Sequence, residues 1–175
     1  MTKSRSHKSH ESHEKSSEMD AIEILMQDHR KVQKIFKEFE KSKDEMDDGD
    51  KAEMIRQGCM ELKIHTQIEE EIFYPAARDA IDDEDLVDEA EVEHASAKQL
   101  IDELEHMEPG EDLYDARFTV LGEYVNHHIK EEEHSLFPEV KKAKLDLDEL
   151  GRRMMQMKEK LQSEMGAEAG EHAAA

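Results

Sequence analysis

Apolar residues recur at intervals of three and four positions through five successive stretches of this chain. That interval is the repeat of an α-helix, whereas apolar residues of a half-buried β-strand alternate. In the first stretch the apolar stripe contains Ile22, Leu25, Val32 and Phe36. Only seven glycines and three prolines are present to interrupt such helices. The pattern predicts an all-α fold built from long amphipathic helices.

The breaks between these stretches predict how the helices are connected. A polar turn segment separates the first two stretches, and Pro109 interrupts the chain before the fourth. The second and fourth stretches run to Pro75 and Pro138. Four long helices with short connections favour an up-down-up-down four-helix bundle. We therefore predict a bundle over residues 19–142 and an additional C-terminal helix over residues 143–165.

The two ends of the sequence differ in composition from the predicted bundle. Residues 1–18 are Ser, His, Lys and Glu with almost no apolar content, which predicts a disordered polar tail. Residues 166–175 are small and polar and are predicted to form a flexible tail. The first residues lack the apolar segment of a secretory signal, and no apolar run approaches the roughly 20 residues that span a bilayer. We expect a cytoplasmic protein.

The charge balance limits the classes of partner. Acidic residues number 46 against 24 basic residues, which gives a net charge of −22. Binding to nucleic acid or to an anionic membrane surface requires a basic surface, so neither partner is expected. Cys59 is the only cysteine, so an internal disulfide and a cysteine-rich zinc or iron–sulfur site are excluded. We expect Cys59 to be a small buried hydrophobic residue.

Each of the four predicted bundle helices carries a histidine on its apolar stripe. A polar ring is costly in a bundle core unless it finds a partner, so four such rings indicate a shared role. Two of the histidines are followed four positions later by a glutamate on the same helix face. These four histidines and two glutamates are His29, His65, Glu69, His94, His128 and Glu132.

The repeated frame around these residues is more informative than the His-x-x-x-Glu spacing alone. In so acidic a chain that spacing also occurs elsewhere, for example at His7 and Glu11. The two chosen pairs, however, begin the similar segments HTQIEEEIFYP at 65–75 and HIKEEEHSLFP at 128–138. In each case a lone histidine lies 36 or 34 residues earlier, so the chain is organised as two helical hairpins of the same form.

Two such hairpins, related by a pseudo-twofold axis, would bring the six side chains together inside the bundle. Two metal ions could each bind two imidazoles, and the two carboxylates could bridge them. Imidazole and carboxylate ligands suit iron, with manganese and zinc as alternatives. Ferritin-like sites use Glu-x-x-His motifs instead. Such motifs occur here, as at Glu91 and His94, but they do not fall one per hairpin on apolar stripes.

These residues resemble the hemerythrin-like HHE cation-binding family. The family pattern is a lone histidine, then H-x-x-x-E before an aromatic-Pro pair, and then the same again. This chain has the aromatic-Pro pairs at Tyr74-Pro75 and Phe137-Pro138, and the match covers roughly residues 20–142. The resemblance implies a four-helix bundle that holds two iron ions, joined by an oxo or hydroxo bridge, on the six residues named above.

The chain departs from the family's oxygen carriers at one position. Those proteins have a fifth histidine four residues after the ligand on the third helix, and Lys98 occupies that position here. The resemblance therefore implies a centre of four histidines and two glutamates, as in the bacterial and iron-sensing relatives. Reversible oxygen carriage is disfavoured for this reason.

The leading hypothesis is a non-haem di-iron protein whose open site reacts with or senses O2, peroxide or nitric oxide. The alternatives that the resemblance leaves are an iron–sulfur cluster repair or iron-donor protein, and a non-enzymatic regulatory module that responds to iron or oxygen. Peroxide decomposition would make the protein an enzyme, and the sequence does not decide this. A small diatomic or peroxide ligand is the expected partner, and the oligomeric state stays open.

Several residues near the predicted ligands require a choice of interpretation. Tyr124 and Gln33, each one helical turn from a predicted ligand, are candidates for orienting that ligand by a hydrogen bond, with ordinary packing as the equal alternative. Glu70 and Glu133, directly beside the bridging glutamates, are either surface residues or auxiliary ligands, and the surface interpretation is favoured. His127 competes with its neighbour for the ligand position, but the ten-residue offset to the proline favours the neighbour, so His127 is interpreted as solvated.

Overall fold

The computed structural model describes residues 19–172, and from residue 167 it describes the backbone only. Within that part of the chain all regular structure is helical, which confirms the predicted all-α bundle. The helices are α1 (Ala21–Ser42), α2 (Asp48–Ile68), α3 (Tyr74–Ala80), α4 (Asp85–Glu105), α5 (Tyr114–Glu131), α6 (Phe137–Lys142) and α7 (Leu147–His172). Helices α1, α2, α4 and α5 form the bundle, with α7 packed against α1 and α2.

The ends of the chain differ in part from the prediction. The predicted N-terminal tail, residues 1–18, lies outside the described residues. Helix α7 ends at His172, seven residues beyond the predicted end at residue 165. The segment after residue 165 contains alanine and glutamate, which are strong helix formers and can prolong a helix that is already established. None of the helices in residues 19–172 contains an apolar stretch of the length that spans a bilayer.

Aspartate side chains fix where three of the long helices begin. The Asp20 carboxylate accepts a hydrogen bond from the Glu23 backbone N–H (2.9 Å), and the Glu23 carboxylate accepts one from the Asp20 N–H (3.1 Å). This reciprocal capping box satisfies backbone donors that have no partner within the helix. Asp47 and Asp146 cap α2 and α7 without the reciprocal bond, each side chain accepting a backbone N–H bond at 2.9 Å.

Two π-helical turns, Glu69–Phe73 and Glu132–Leu136, continue α2 into α3 and α5 into α6. The sequence predicted that these helices run to Pro75 and Pro138, but helical structure passes through both prolines. A proline ring clashes with the carbonyl four residues earlier in an α-helix. The wider turns avoid this clash, because the N–H of the residue before each proline donates to the carbonyl five residues earlier.

In the described part of the chain the hydrophobic core consists of two clusters, one on each side of the polar residues. The first cluster packs the aromatic-Pro segments against α7, and the second packs Phe36, Phe39 and Phe118 at the other end of the bundle. On α1, His29 lies between Leu25 of the first cluster and Val32 of the second. The other three histidines lie at the corresponding level of their helices. The fold thus places a polar layer between two apolar layers.

Candidate metal centre

All six predicted ligands meet in this polar layer. Helices α1, α2, α4 and α5 each contribute a histidine, and each π-helical turn contributes the glutamate at its first residue. All six side chains are buried. π-Helical turns are frequently found at functional sites, and here each one begins at a buried carboxylate.

The imidazole Nε2 atoms point toward the two carboxylates. Nε2 of His65 and Nε2 of His94 lie 3.1 and 3.3 Å from Glu69 Oε2. Nε2 of His29 and Nε2 of His128 lie 3.2 and 3.5 Å from Glu132 Oε2. Each glutamate therefore contacts one histidine from each hairpin, as a carboxylate shared between two metal ions would.

Several atoms of this layer are buried without a hydrogen-bond partner, although buried polar atoms normally have one. They are Asp28 Oδ2, His29 Nε2, His65 Nδ1 and Nε2, Glu69 Oε1 and Oε2, and Glu132 Oε2. Most of these atoms are the nitrogen and oxygen donors that a cation requires. The donors form two groups, and within each group one ligand atom per residue lies within 4.8 Å of all the others. The groups are His29, His65, Glu69 and Glu132, and Glu69, His94 and His128. The residues fit two cations that share Glu69.

Each of these histidines also has a carboxylate facing its other ring nitrogen, Nδ1. The pairs are His29 with Glu133 (2.9 Å), His94 with Glu70 (3.0 Å), His128 with Glu93 (2.8 Å) and His65 with Asp28 (3.7 Å). An ionised carboxylate can only accept, so in the three short pairs the proton is on Nδ1. This arrangement orients the ring and leaves the Nε2 lone pair free for a metal ion.

The interpretation of Glu70 and Glu133 as surface residues is wrong, since both are half-buried and contact histidines. A signal for these partners exists in the sequence. An acidic residue precedes the lone histidine of each hairpin, as in Glu93-His94, and another follows each of the two clustered glutamates, as in Glu69-Glu70. Because acidic residues are so abundant in this chain, the repeat is hard to distinguish from chance.

Sequence reasoning also missed the role of Tyr74. Its hydroxyl donates a hydrogen bond to Glu132 Oε1 (2.8 Å) and lies 3.1 Å from His94 Nε2. Burial, together with the negative charges of Glu132 and Glu69, raises the pKa of Tyr74 well above its ordinary value. The hydroxyl therefore remains a proton donor in the centre. In the other hairpin Phe137 takes this position, and its ring stacks on His29 at 5.7 Å between centroids.

The two residues predicted to orient ligands do not do so in the structure. Gln33 donates to Asn126 (3.2 Å) at the surface instead of contacting a histidine. Tyr124 is 53% exposed and lines a small cavity beside His94 and His128. His127 is 64% exposed, as its predicted solvation requires.

The charges of the centre are strongly coupled. Burial and the negative charge of Glu132 raise the pKa of Glu69 well above its ordinary value. Burial alone would also raise the pKa of Glu132, but His128 and His29 hold it well below the usual range. Burial lowers the pKa of His65 to about 4. Two buried carboxylates so close together destabilise each other, and divalent cations between them would remove that repulsion.

Comparison with known proteins agrees with this geometry. A structure of a hemerythrin HHE cation binding domain-containing protein from Mycobacterium kansasii has the same fold, with a TM-score of 0.70 and 22% sequence identity. The match covers 83% of this chain and 89% of that one. A DNA nickase from Nostoc sp. is 25% identical over 152 residues, which is 84% of this chain but only 41% of the nickase.

The family profile is the most informative comparison. The profile of the hemerythrin HHE cation binding domain matches residues 20–140, which include all six clustered residues and both π-helical turns. Together with the converging donors, this match supports metal binding by the protein. The chain belongs to the hemerythrin HHE cation-binding domain family.

Proposed function

We propose that the protein binds two iron ions in this centre and that the loaded centre reacts with or senses O2, peroxide or nitric oxide. The observation that carries the proposal is the convergence of buried nitrogen and oxygen donors in two groups that share Glu69. In the first group His29 Nε2, His65 Nε2 and both Glu69 oxygens have no hydrogen-bond partner. Mixed imidazole and carboxylate ligation suits iron, and manganese and zinc are the alternatives to be tested.

The residues divide the centre into two subsites. His29 and His65 form the first-hairpin subsite, and His94 and His128 form the second-hairpin subsite. A pair of iron ions would supply electron exchange with a small oxidising ligand. The protein orients the imidazoles through the carboxylates on Nδ1 and holds a proton on the Tyr74 hydroxyl beside Glu132. The apolar layers above and below exclude bulk water.

A cavity of about 200 Å³ supports access by a small ligand to the second-hairpin subsite. It lies between α4 and α5, and its lining includes the exposed His127 and the buried His128 and Glu132. The first-hairpin subsite lies on the side of the bundle against which α7 packs. A diatomic molecule or peroxide is therefore proposed to approach from the α4–α5 side.

The similarity to the Nostoc DNA nickase does not lead us to propose a role in DNA cleavage. The chain spans about two fifths of the length of that relative. A net charge of −22 also opposes binding to a phosphate backbone. The absence of nucleic-acid and membrane partners and a cytoplasmic location stay predictions.

Metal analysis of protein reconstituted with Fe(II) without oxygen tests the proposal. We expect about two iron ions per chain, and new charge-transfer absorption when O2 or peroxide is added. His65→Ala and His128→Ala should each bind less iron, because each removes a ligand from one subsite. His127→Ala is the matched control and should bind as the wild type does. Full iron content in both ligand variants would show that the assignment is wrong.

A further inference from the structure

Asp28 connects helix α7 to the metal centre. Its side chain is buried, and Oδ1 accepts a hydrogen bond from Nζ of Lys158 on α7, which lies 130 residues further along the chain. The other oxygen, Oδ2, faces His65 Nδ1 at 3.7 Å, and neither of these two atoms has a hydrogen-bond partner. The other three histidines have their carboxylates at 2.8–3.0 Å. His65 is therefore the histidine whose carboxylate is held from α7.

The position of Lys158 depends on how α7 packs. Leu150, Met154 and Leu161 are buried in the cluster that also contains the start of α1. At Gly151, an added Cβ would lie 2.7 Å from the Met19 carbonyl oxygen, so a larger residue would push α7 away. The side chain of Lys158 is only 12% exposed, so its charge is directed at Asp28 inside the α1–α7 contact.

We propose that Lys158 is a positioning residue for the centre, which holds Asp28 in place for His65 and so couples metal binding at the first-hairpin subsite to the docking of α7. This inference rests on metal binding at the six-residue cluster. A metal ion on Nε2 leaves the remaining imidazole proton on Nδ1, where it needs an acceptor. The gap to Asp28 Oδ2 exceeds a normal N–H···O distance by about 0.5 Å.

Closure of the gap between His65 Nδ1 and Asp28 Oδ2 would make the coupling between metal binding and α7 docking favourable. Metal binding at His65 creates a fixed Nδ1–H donor, and the carboxylate that accepts from it is the one anchored to α7. Docked α7 in turn keeps the Asp28 carboxylate oriented toward His65, because Lys158 holds its other oxygen, and this favours metal binding. Because coupling between two equilibria is reciprocal, each event must strengthen the other by the same factor.

The experiment compares Lys158→Met with the wild type by calorimetric titration of anaerobic Fe(II) and by hydrogen exchange of α7. In the wild type, iron should slow amide exchange over residues 147–161. Lys158→Met should lose this iron-dependent slowing in α7 but keep it in α2 and α5, and its iron affinity at one subsite should fall by about tenfold or more. Lys158→Arg should restore both. Lys160→Met, on the exposed face of the same helix, is the matched control.

A double-variant cycle distinguishes positioning from packing. If Lys158 acts through Asp28, Lys158→Met should cause no further loss of affinity once Asp28 is replaced by asparagine. Additive losses would overturn the inference. Lys158→Met alone leaves the Asp28 charge unpaired and could fail to fold. In that case the comparison of Asp28→Asn with the double variant still tests whether Lys158 acts through Asp28. Wild-type protein that binds no iron would overturn the proposed function as well. Iron binding with unchanged α7 exchange would overturn this inference alone.

Discussion

Replacement of Glu69 by glutamine should make the metal-free protein more stable while it weakens metal binding. Glu69 is fully buried, and neither carboxylate oxygen has a hydrogen-bond partner. Glutamine keeps the shape of the side chain and removes the charge. Its amide N–H groups can donate to Nε2 of His65 or of His94, which lie 3.1 and 3.3 Å from Oε2.

The size of the effect follows from the burial of Glu69. An unsatisfied buried polar group costs about 1–3 kcal/mol, and in a chain of this length 1 kcal/mol changes Tm by about 2–4 °C. We therefore expect Tm of the metal-free variant to rise by about 2–12 °C near neutral pH. Because folding raises the pKa of Glu69, the wild-type protein becomes less stable as pH rises. At about pH 4 Glu69 is protonated, so the gain in Tm of Glu69→Gln over the wild type should disappear there.

Thermal unfolding with and without metal measures both effects. A ligand at a hundred times its Kd stabilises a protein by about 2.7 kcal/mol, and this metal-dependent rise in Tm should shrink in Glu69→Gln. Glu71→Gln, two residues away and exposed, is the control and should change neither quantity by much. An unchanged or lower Tm of the metal-free variant would refute the argument that the carboxylate destabilises the fold. A full metal-dependent rise would show that Glu69 is not a ligand.

Three further predictions concern the same centre and its surroundings. Tyr74→Phe removes a buried hydrogen bond to the charged Glu132 and should lower the free energy of unfolding by about 1.5–3 kcal/mol, measured by denaturant titration; an unchanged midpoint would contradict this. Metal affinity should increase from about pH 6 to about pH 8, because the raised pKa values of Glu69 and His29 let protons compete with the metal; calorimetry showing no pH dependence would contradict it. Burial raises the pKa of Cys59 to about 12, so its thiol should react with a disulfide reagent at about pH 8 only after unfolding, and rapid reaction of the folded protein would be the contrary result.

The sequence was sufficient for the bundle and for the six clustered residues because both depend on repetition along the chain. The three-to-four spacing of apolar residues determines which helix face is buried. The duplicated segments that end at Pro75 and Pro138 place each His-x-x-x-Glu pair at the same level of its hairpin. Both the spacing and the repeat can be recognised in the sequence itself, because neither depends on which helices contact one another.

The residues that sequence reasoning missed depend on contacts between distant helices. Glu70 contacts His94, and Glu133 contacts His29 across 104 residues. With 46 acidic residues in the chain, no single glutamate beside a histidine stands out. Tyr74 was recognisable only as the aromatic residue before a proline, since its hydrogen bond to Glu132 joins the two hairpins. The ion pair between Asp28 and Lys158 requires knowledge of where α7 packs.

The four carboxylate–imidazole pairs on Nδ1, three of them hydrogen-bonded and one a longer contact of 3.7 Å, form a ring around the bundle. Asp28 and His65 join α1 to α2, and Glu93 and His128 join α4 to α5. The pair of Glu70 and His94 joins the first hairpin to α4, and the pair of Glu133 and His29 joins the second hairpin to α1. Rotation of any one bundle helix about its own axis would strain two links at once, so the ring fixes the angular setting of all four helices. The four imidazoles are thereby kept pointing into the bundle. The longer Asp28–His65 contact restrains rotation of α1 and α2 less than the other pairs restrain α4 and α5.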